Sequence, residues 1–351
     1  MSSACARATC GAASLVLVAC AGGRLVHDAA AEARPPFVGY TRGAGSAPGT
    51  APMEGDSPTA APGAAGAGDA AAAGAAGGPR AARSHRLERP ALPPWHGWDV
   101  SRRQPLEARE LGYALARKEL VCVGEHHDDP RHHAAQLAVL AELQDRAELA
   151  GRELGLGLEM WERRFQPVLD RYAARELDER SLLRDTEWRE RWGHDYALYR
   201  PIVRAAVADG AALLALGARR ELARAVARRG VDALAPDDRA DLPELDLDDQ
   251  RHRERFTARM DAHPHDADAD RLYAAQVVRD ETMAAVAAAW LSARRPARQL
   301  VVLAGAGHCE PGAIPARAKR RGVERVVSVL PVTSHDDPEL AHFDYGVVVE
   351  R

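Results

Sequence analysis

The sequence predicts an α/β fold: a parallel β-sheet flanked by helices, with a smaller helical lid subdomain, preceded by a disordered tether. Short, continuous apolar runs recur after residue 110, and helical stretches with apolar residues at three- and four-residue spacing lie between them. A long segment rich in Ala, Gly and Pro precedes the first run. Continuous apolar strands that alternate with helices are typical of a parallel sheet covered on both faces.

The chain begins with a pattern that is typical of exported proteins. Residues 12–18 form an apolar run of the size found in signal peptides, too short for the ~20 apolar residues that span a bilayer. Residues 17–20, Leu-Val-Ala-Cys, resemble a bacterial lipobox. We therefore expect a lipoprotein signal peptide at 1–19 and a lipid on Cys20; the alternative is an ordinary signal peptide with a chance cysteine. The residue after the cysteine, Ala21, is not acidic, so the sequence carries no sign of inner-membrane retention. We therefore expect the outer membrane of the cell envelope.

Residues 20–94 are predicted to form the disordered tether. Their composition is dominated by Ala, Gly, Pro and Ser, as in APGAAGAGDAAAAGAAGGP. Such a segment buries too little apolar surface to offset the entropy that it would lose on ordering. The globular domain is therefore expected at 95–351.

The strands of this domain are predicted from its apolar runs. These runs lie at 119–125, 154–161, 211–218, 299–307 and 325–331, and 343–350 resembles a last edge strand. Residues 232–295 contain no strand-like run; they are acidic at first and then helical. We expect this segment to form a helical lid over the sheet.

Charge and cysteine content exclude some classes of protein. The net charge of −4 and the isoelectric point near 6.4 argue against a general nucleic-acid binder. Cys122 lies within the first predicted strand and Cys309 just beyond the fourth. Two distant cysteines do not make a disulfide framework, so both are expected to be free and partly buried.

Polar side chains follow three of the predicted strands. The first strand leads into Glu125 and His127, the second into Glu159 and the fourth into His308. Ligands of open α/β sheets bind at the carboxyl ends of the strands. The coincidence of polar residues at several strand ends therefore favours a functional site over independently solvated side chains.

The histidine-rich stretch GEHHDDPRHH, 124–133, is not expected to form one cluster. Asp129 is a suitable cap for a helix that begins at Pro130, and this helix would place His132 and Gln136 on one face. His127 is then the first candidate for the site and His132 the second. His126, which should point away from its neighbour, and His133, which shares a face with apolar residues, are expected to support packing.

Three kinds of chemistry suit two glutamates and two histidines. The residues could hold a divalent metal, although no His-Glu-x-x-His helix is present. They could perform acid–base hydrolysis, or they could recognise a cofactor. GAGHCEPG lacks the third glycine of a dinucleotide-binding loop, and neither a GxSxG elbow nor a phosphate-binding loop occurs.

Five motifs in order carry a family resemblance: GEHHDDPRHHAAQ, LGLEMWERRFQPVLDRY, YRPIVRAA, AAQVVRDETMA and VVLAGAGHCEPGAIP. Over roughly residues 105–350 the chain resembles the bacterial ChaN-like haem-binding lipoproteins, within the wider Tiki, TraB and erythromycin-esterase superfamily. One departure is ALGARRE, where an asparagine and a proline are expected near Gly217 and Arg219.

The resemblance implies haem as cofactor, a role in haem or iron acquisition, and a homodimer around haem. It carries over the positions Glu125, His127, Gln136, Glu159, Gln276, Asp280, Met283 and His308. Tyr273 in the lid is our candidate for the haem-iron ligand, with helix packing as the alternative; His263 and His265 are expected in a solvated loop. A hydrolase that uses Glu125, His127, Glu159 and His308, with or without a divalent metal, and a scaffold without activity remain the other hypotheses.

Overall fold

The computed structural model describes residues 94–261 and 268–349. The predicted signal peptide, Cys20, the tether up to residue 93, His263 and His265 lie outside the described residues. The strands are β1 (Trp95–Asp99), β2 (Gln104–Leu106), β3 (Leu120–Glu125), β4 (Glu153–Glu162), β5 (Ala212–Gly217), β6 (Arg298–Gly305), β7 (Val326–Val332) and β8 (Tyr345–Val349).

The helices fill the connections between these strands. They are α1 (Ala108–Ala116), α2 (Pro130–Leu149), α3 (Gln166–Ala173), α4 (Glu179–Asp185), α5 (Trp188–Arg191), α6 (Tyr196–Ala208), α7 (Arg220–Arg229), α8 (Pro236–Ala240), α9 (Gln250–Asp261), α10 (Ala269–Ala293), α11 (Ala306–Cys309) and α12 (Ile314–Arg320). In the ranges that the structure covers, no helix has the length and apolar character needed to cross a membrane.

The eight strands form one mostly parallel sheet, as predicted. Their order is β2-β1-β8-β7-β3-β6-β4-β5, and β3 pairs in parallel with both β6 and β7. Only β1 runs antiparallel to its neighbours, β2 and β8. β3 is buried along its whole length and β6 is buried from Gln299 onwards, which is why they appear in the sequence as continuous apolar runs.

Two apolar layers cover the sheet. On one face, α1, α2, α3 and α6 pack against strand residues such as Val121 and Val123. On the other face, α10, α11 and α12 pack against their neighbours in the same strands, such as Cys122. The helical segment predicted at 232–295 is present as α8, α9 and α10, and α10 packs on α7 through Leu222, Val226 and Val278.

The C-terminal strand is not at the edge of the sheet, so this part of the prediction was wrong. β8 lies between β7 and β1, and it is the strand through which the β1–β2 hairpin joins the sheet. This hairpin escaped sequence analysis because β2 has only three residues and β1 contains a glycine. β5 and β2 are the edge strands.

The prediction that the two cysteines are free was also wrong. Cys122 in β3 and Cys309 at the end of α11 form a disulfide, with their Cα atoms 5.3 Å apart. Both side chains are fully buried. β3 and β6 are neighbours in the sheet, and this pairing brings together two cysteines that are 187 positions apart in the sequence.

Candidate functional site

Glu125 ends β3 inside the protein and is surrounded by donors. Its Oε1 lies 2.8 Å from Nδ1 of His127 and accepts a hydrogen bond of 2.7 Å from the Tyr199 hydroxyl. Its Oε2 accepts a 2.7 Å hydrogen bond from the Gln136 amide. A buried carboxylate with three partners is satisfied as an anion, and it fixes the orientation of the His127 ring.

The helix that follows supplies one of these donors. Asp129 caps α2 by accepting a hydrogen bond from the Arg131 backbone N–H, and Pro130 occupies the first turn, as predicted. This start sets the phase of α2 so that Gln136 reaches Glu125. His133 on the same helix is buried and packs against the ring of Tyr199.

The other two histidines of this stretch form a separate contact. Nδ1 of His132 accepts a 2.9 Å hydrogen bond from the His126 backbone N–H, and the two rings lie 4.8 Å apart. Nε2 of His126 lies 3.1 Å from the Glu339 carboxylate. Burial, together with His126, lowers the pKa of His132 to about 4. The structure therefore separates His132, the second sequence candidate, from the pair formed by Glu125 and His127.

Glu159 lies within β4 rather than at its end. The register between β4 and β5 shifts between Leu158 and Glu162, and such an irregularity redirects side chains next to functional sites. Glu159 Oε2 accepts a 2.8 Å hydrogen bond from the Gly305 backbone N–H, and its Oε1 lies 3.2 Å from Nε2 of His308.

Gly305 allows the two halves of the site to approach each other. A Cβ atom at this position would lie 3.1 Å from Cε1 of His127 and 3.7 Å from Oε2 of Glu159. The structure thus brings together the four residues predicted from strand ends, Glu125, His127, Glu159 and His308. We call them the strand-edge cluster.

A chain of buried polar groups connects the cluster to the lid. Nδ1 of His308 lies 2.5 Å from Oδ1 of Asp280, whose Oδ2 lies 3.3 Å from Nε2 of His252. Nδ1 of His252 in turn lies 3.2 Å from the Tyr273 hydroxyl. Gln276 contacts His308 directly, at 3.0 Å from Nδ1.

The remaining predicted positions contribute to packing or lie further away. Met283 is fully buried in the apolar layer between α10 and the sheet. Tyr273 is 1% exposed, and its hydroxyl donates a 3.2 Å hydrogen bond to the carbonyl oxygen of Asp249. It therefore reaches the cluster only through His252 and Asp280.

The charges of the cluster reinforce one another. Burial alone would lower the pKa of His308, but the carboxylates of Glu159 and Asp280 raise it to about 9. Burial would raise the pKa of Glu159, but the charge and hydrogen bond of His308 lower it to about 2. The same balance lowers the pKa of Glu125 and raises that of His127. His308 is therefore cationic beside ionised carboxylates at neutral pH, and Glu125 favours the cationic form of His127.

The raised pKa of His308 predicts a loss of stability in mild base. The unfolded-state pKa of histidine is about 6.5, so the stabilisation is complete below that pH and disappears as the pH rises through about 9. The free energy of unfolding should fall by about 3 kcal/mol across this window. Urea unfolding at pH 6.5 and pH 9.5 measures it. The variant His308→Gln should lose this pH dependence. If the free energy of unfolding falls equally with pH in the native chain and in the variant, His308 is not its cause.

Sequence analysis missed four residues around the site. Trp192 and His194 flank the His127 ring, with ring centroids 4.7 and 5.1 Å away. Tyr199 belongs to the motif YRPIVRAA, so its position was available, but nothing in the sequence assigned its hydroxyl to Glu125. His252 lies in an arginine-rich helix that resembles an ordinary solvated face, yet it is buried.

The metal-dependent form of the hydrolase hypothesis receives no support. Among the described residues, no group of three or more His, Cys, Asp or Glu side chains has an arrangement that could hold a metal ion. The ring nitrogens of His308 are both directed at carboxylates, which leaves neither of them open.

Comparisons with known proteins agree with this architecture. The sequence model of a family described as "Haem-binding uptake, Tiki superfamily, ChaN" matches residues 112–317, which is more than half of the chain and includes the whole strand-edge cluster. No curated protein sequence matches significantly.

Among solved structures, ChaN of Campylobacter jejuni, described for cofacial haem binding, shares the fold with a TM-score of 0.60. The two sequences are 16% identical, and the match covers 73% of this chain and 97% of that one. The type III effector HopBA1 matches with a TM-score of 0.40 at 14% identity over 75% of this chain and 98% of its own. The match of the family model is what decides membership: the chain belongs to the ChaN family of haem-binding uptake proteins in the Tiki superfamily.

Proposed function

We propose that the protein binds haem at the strand-edge cluster, with His127 as the nitrogen donor to iron. The observation that carries this proposal is the way His127 is held. Its Nδ1 is engaged by Glu125 at 2.8 Å, and its side chain is 19% exposed between the rings of Trp192 and His194. Metal-binding histidines usually donate their second ring N–H to a carboxylate, and histidine is a common haem ligand.

The donor set fits haem better at His127 than at Tyr273. The Tyr273 hydroxyl is buried and lies within 3.2 Å of both the Asp249 carbonyl oxygen and the His252 ring. A phenolate ligand at this position would need to break the contacts of Tyr273 with Asp249 and with His252. Nε2 of His127, in contrast, has no hydrogen-bond partner among the described residues. Tyr273 as the iron ligand remains a prediction that is tested together with His127.

The residues around His127 would each have a defined role. Haem supplies an iron centre and a large apolar ring when it is bound. Glu125 orients the imidazole and holds its Nδ1 proton, while Trp192 offers an aromatic surface. Because the pKa of His127 is raised, ligation must displace the Nε2 proton, so haem affinity should increase with pH.

Haem titration of the purified protein tests the ligand. The native chain should give a saturable Soret shift, and His127→Ala should weaken haem binding by at least about tenfold, since even indirect partners of a ligand contribute 10–100-fold. His335→Ala removes a histidine that stacks on Trp98 and serves as the matched control. If Tyr273→Phe changes the spectrum and His127→Ala does not, Tyr273 is the ligand. If the native chain shows no saturable Soret shift, the proposal of haem binding is wrong.

Metal-independent acid–base hydrolysis is the second candidate function. It is favoured by one observation: His308 is held between the carboxylates of Glu159 and Asp280, which is the environment of a tuned proton carrier. Under this hypothesis His308→Ala should abolish turnover of an ester or peptide substrate and should leave the haem titration unchanged. Equal turnover by the native chain and by His308→Ala would exclude this function.

The proposed location is the cell envelope, with lipid on Cys20 anchoring the protein to the outer membrane. The disulfide between Cys122 and Cys309 supports an oxidising compartment, because such bonds are rare in the cytosol. The description of the matched family supports a role in haem or iron uptake. We also propose a homodimer around haem, for which the cofacial haem binding named for the Campylobacter jejuni relative is the support. Light scattering with and without haem measures this dimer.

Replacing the lipidated cysteine should release the protein. We expect Cys20→Ala to remain unprocessed or to become soluble, since acyl chains on this residue would supply the hydrophobic anchoring. Fractionation of cells and the mass of the mature chain measure the effect. Unchanged processing and membrane retention of the variant would contradict the lipoprotein assignment.

A further inference from the structure

A groove opens at the other edge of the sheet, where the parallel strands begin. Its volume is about 540 Å³, and it lies between the residues that precede β3, β4, β6 and β7. Three arginines line it, Arg117, Arg152 and Arg325, together with small or apolar residues such as Gly151, Pro296 and Ala297. The strand-edge cluster lies at the carboxyl ends of the same strands, so the groove is a separate feature.

Arg152 is held in the groove by neutral partners only. Its Nη1 donates a 2.7 Å hydrogen bond to the carbonyl oxygen of Ala116. Its Nη2 donates to the carbonyl oxygens of Lys118 and Arg298, at 3.1 and 3.0 Å. These bonds connect the segments that enter three strands and fix the position of the guanidinium. None of the described carboxylates forms an ion pair with this guanidinium, and the charge of Glu119 acts on it only at longer range.

The other two arginines leave the groove with an excess of positive charge. Arg325 donates to the carbonyl oxygen of Arg117, and its Nη2 lies 4.0 Å from the buried carboxylate of Glu119. That carboxylate already pairs with Arg295 at 2.8 Å. The side chain of Arg117 makes no ion pair within residues 94–261 and 268–349, and it is exposed. Burial and the proximity of Arg325 lower the pKa of Arg152.

We infer that this groove binds the phosphate group of a phosphate monoester. Guanidinium groups form charge-assisted hydrogen bonds with phosphate oxygens, and Arg117 and Arg325 can donate such bonds. The Nη atoms of Arg152 already donate to three carbonyl oxygens, so this residue supplies a fixed positive charge beside them. Three positive charges match a phosphate dianion better than a singly charged carboxylate. The apolar residues offer contact to an organic substituent on the phosphate. The group has two sources, a soluble metabolite or the headgroup of an anionic lipid.

Calorimetric titration with phenyl phosphate at low salt tests the groove. The double variant Arg117→Gln/Arg325→Gln removes two charges without touching the Arg152 contacts, and it should lose at least about tenfold in affinity. The matched control is Arg228→Gln/Arg229→Gln, which removes two exposed arginines at the end of α7 and should bind like the native chain. Haem titration and unfolding midpoints of both variants verify that the fold is intact.

Vesicle sedimentation distinguishes the two sources. Binding to vesicles that contain phosphatidic acid, but not to phosphatidylcholine alone, and loss of that binding in the groove variant would identify a lipid headgroup. Binding to phenyl phosphate without vesicle binding would identify a soluble ester. Absence of saturable binding to both probes, or equal binding in the groove variant and the native chain, overturns the inference and leaves the haem site unaffected.

Discussion

Replacing Cys122 and Cys309 together by alanine should lower the free energy of unfolding by roughly 5 kcal/mol. The disulfide closes a loop between positions that are 187 residues apart, and the entropy that it removes from the unfolded chain grows with loop length. Both side chains are fully buried, so the loss of packing adds to the effect. Urea unfolding of the oxidised protein measures it.

The comparison with reduced native protein separates the bond from the side chains. Native chain unfolded in excess reductant should lose less stability than the double variant, because it keeps both buried sulfur atoms and loses only the link between them. A loss below about 1 kcal/mol in both cases would mean that the bond contributes little, since surface changes already produce shifts of that order.

Asp280→Ala should destabilise the protein by about 3–5 kcal/mol, the loss typical of removing one partner from a buried ion pair. Asp280 is fully buried between His308 and His252, and Oδ1 lies 2.5 Å from Nδ1 of His308. Without this carboxylate the pKa of His308 should fall from its value of about 9, because one of its two anionic neighbours is gone. Urea unfolding and histidine NMR titration report the two effects.

Asp280→Asn serves as the control for shape. It retains the size of the side chain and an acceptor for His308, but it removes the charge, so its loss should be smaller than that of the alanine variant. The pKa of Asp280 is lowered, so its effect on stability changes with pH in the opposite direction from that of His308. The stabilisation by Asp280 is present above the unfolded-state pKa of about 4 and is lost in acid. A native-like midpoint for Asp280→Ala at pH 7 would show that the chain of buried polar groups between the strand-edge cluster and the lid contributes little to stability.

The sheet could be predicted from sequence because its central strands are buried on both faces. The run 119–125 became β3 with a one-residue error, and 299–307 became β6 followed by the single turn of α11. The position of β8 could not be predicted in the same way. An apolar run identifies a strand, but the choice of neighbour depends on pairings between distant segments, here with Trp95–Asp99.

The same limit applies to the site. Glu125, His127 and His308 were predictable because the carboxyl ends of parallel strands meet at one edge of the sheet. Cys122 and Cys309 are close because α11 packs on the face of β3, yet their sequence separation alone argued against a bond. His252 had no signal at all, because a single histidine among arginines on an amphipathic helix gains its role only when α9 packs against α10.

The central position of β8 has a consequence for the order in which the protein is completed during synthesis. The hairpin of β1 and β2 emerges first, but its link to the sheet is β8, the last of the eight strands. Pairings between distant segments form slowly, because the intervening chain must first be brought into a closed loop. A nascent chain that lacks β8 therefore leaves this hairpin without its neighbour in the sheet, so that the beginning and the end of the domain enter the sheet together.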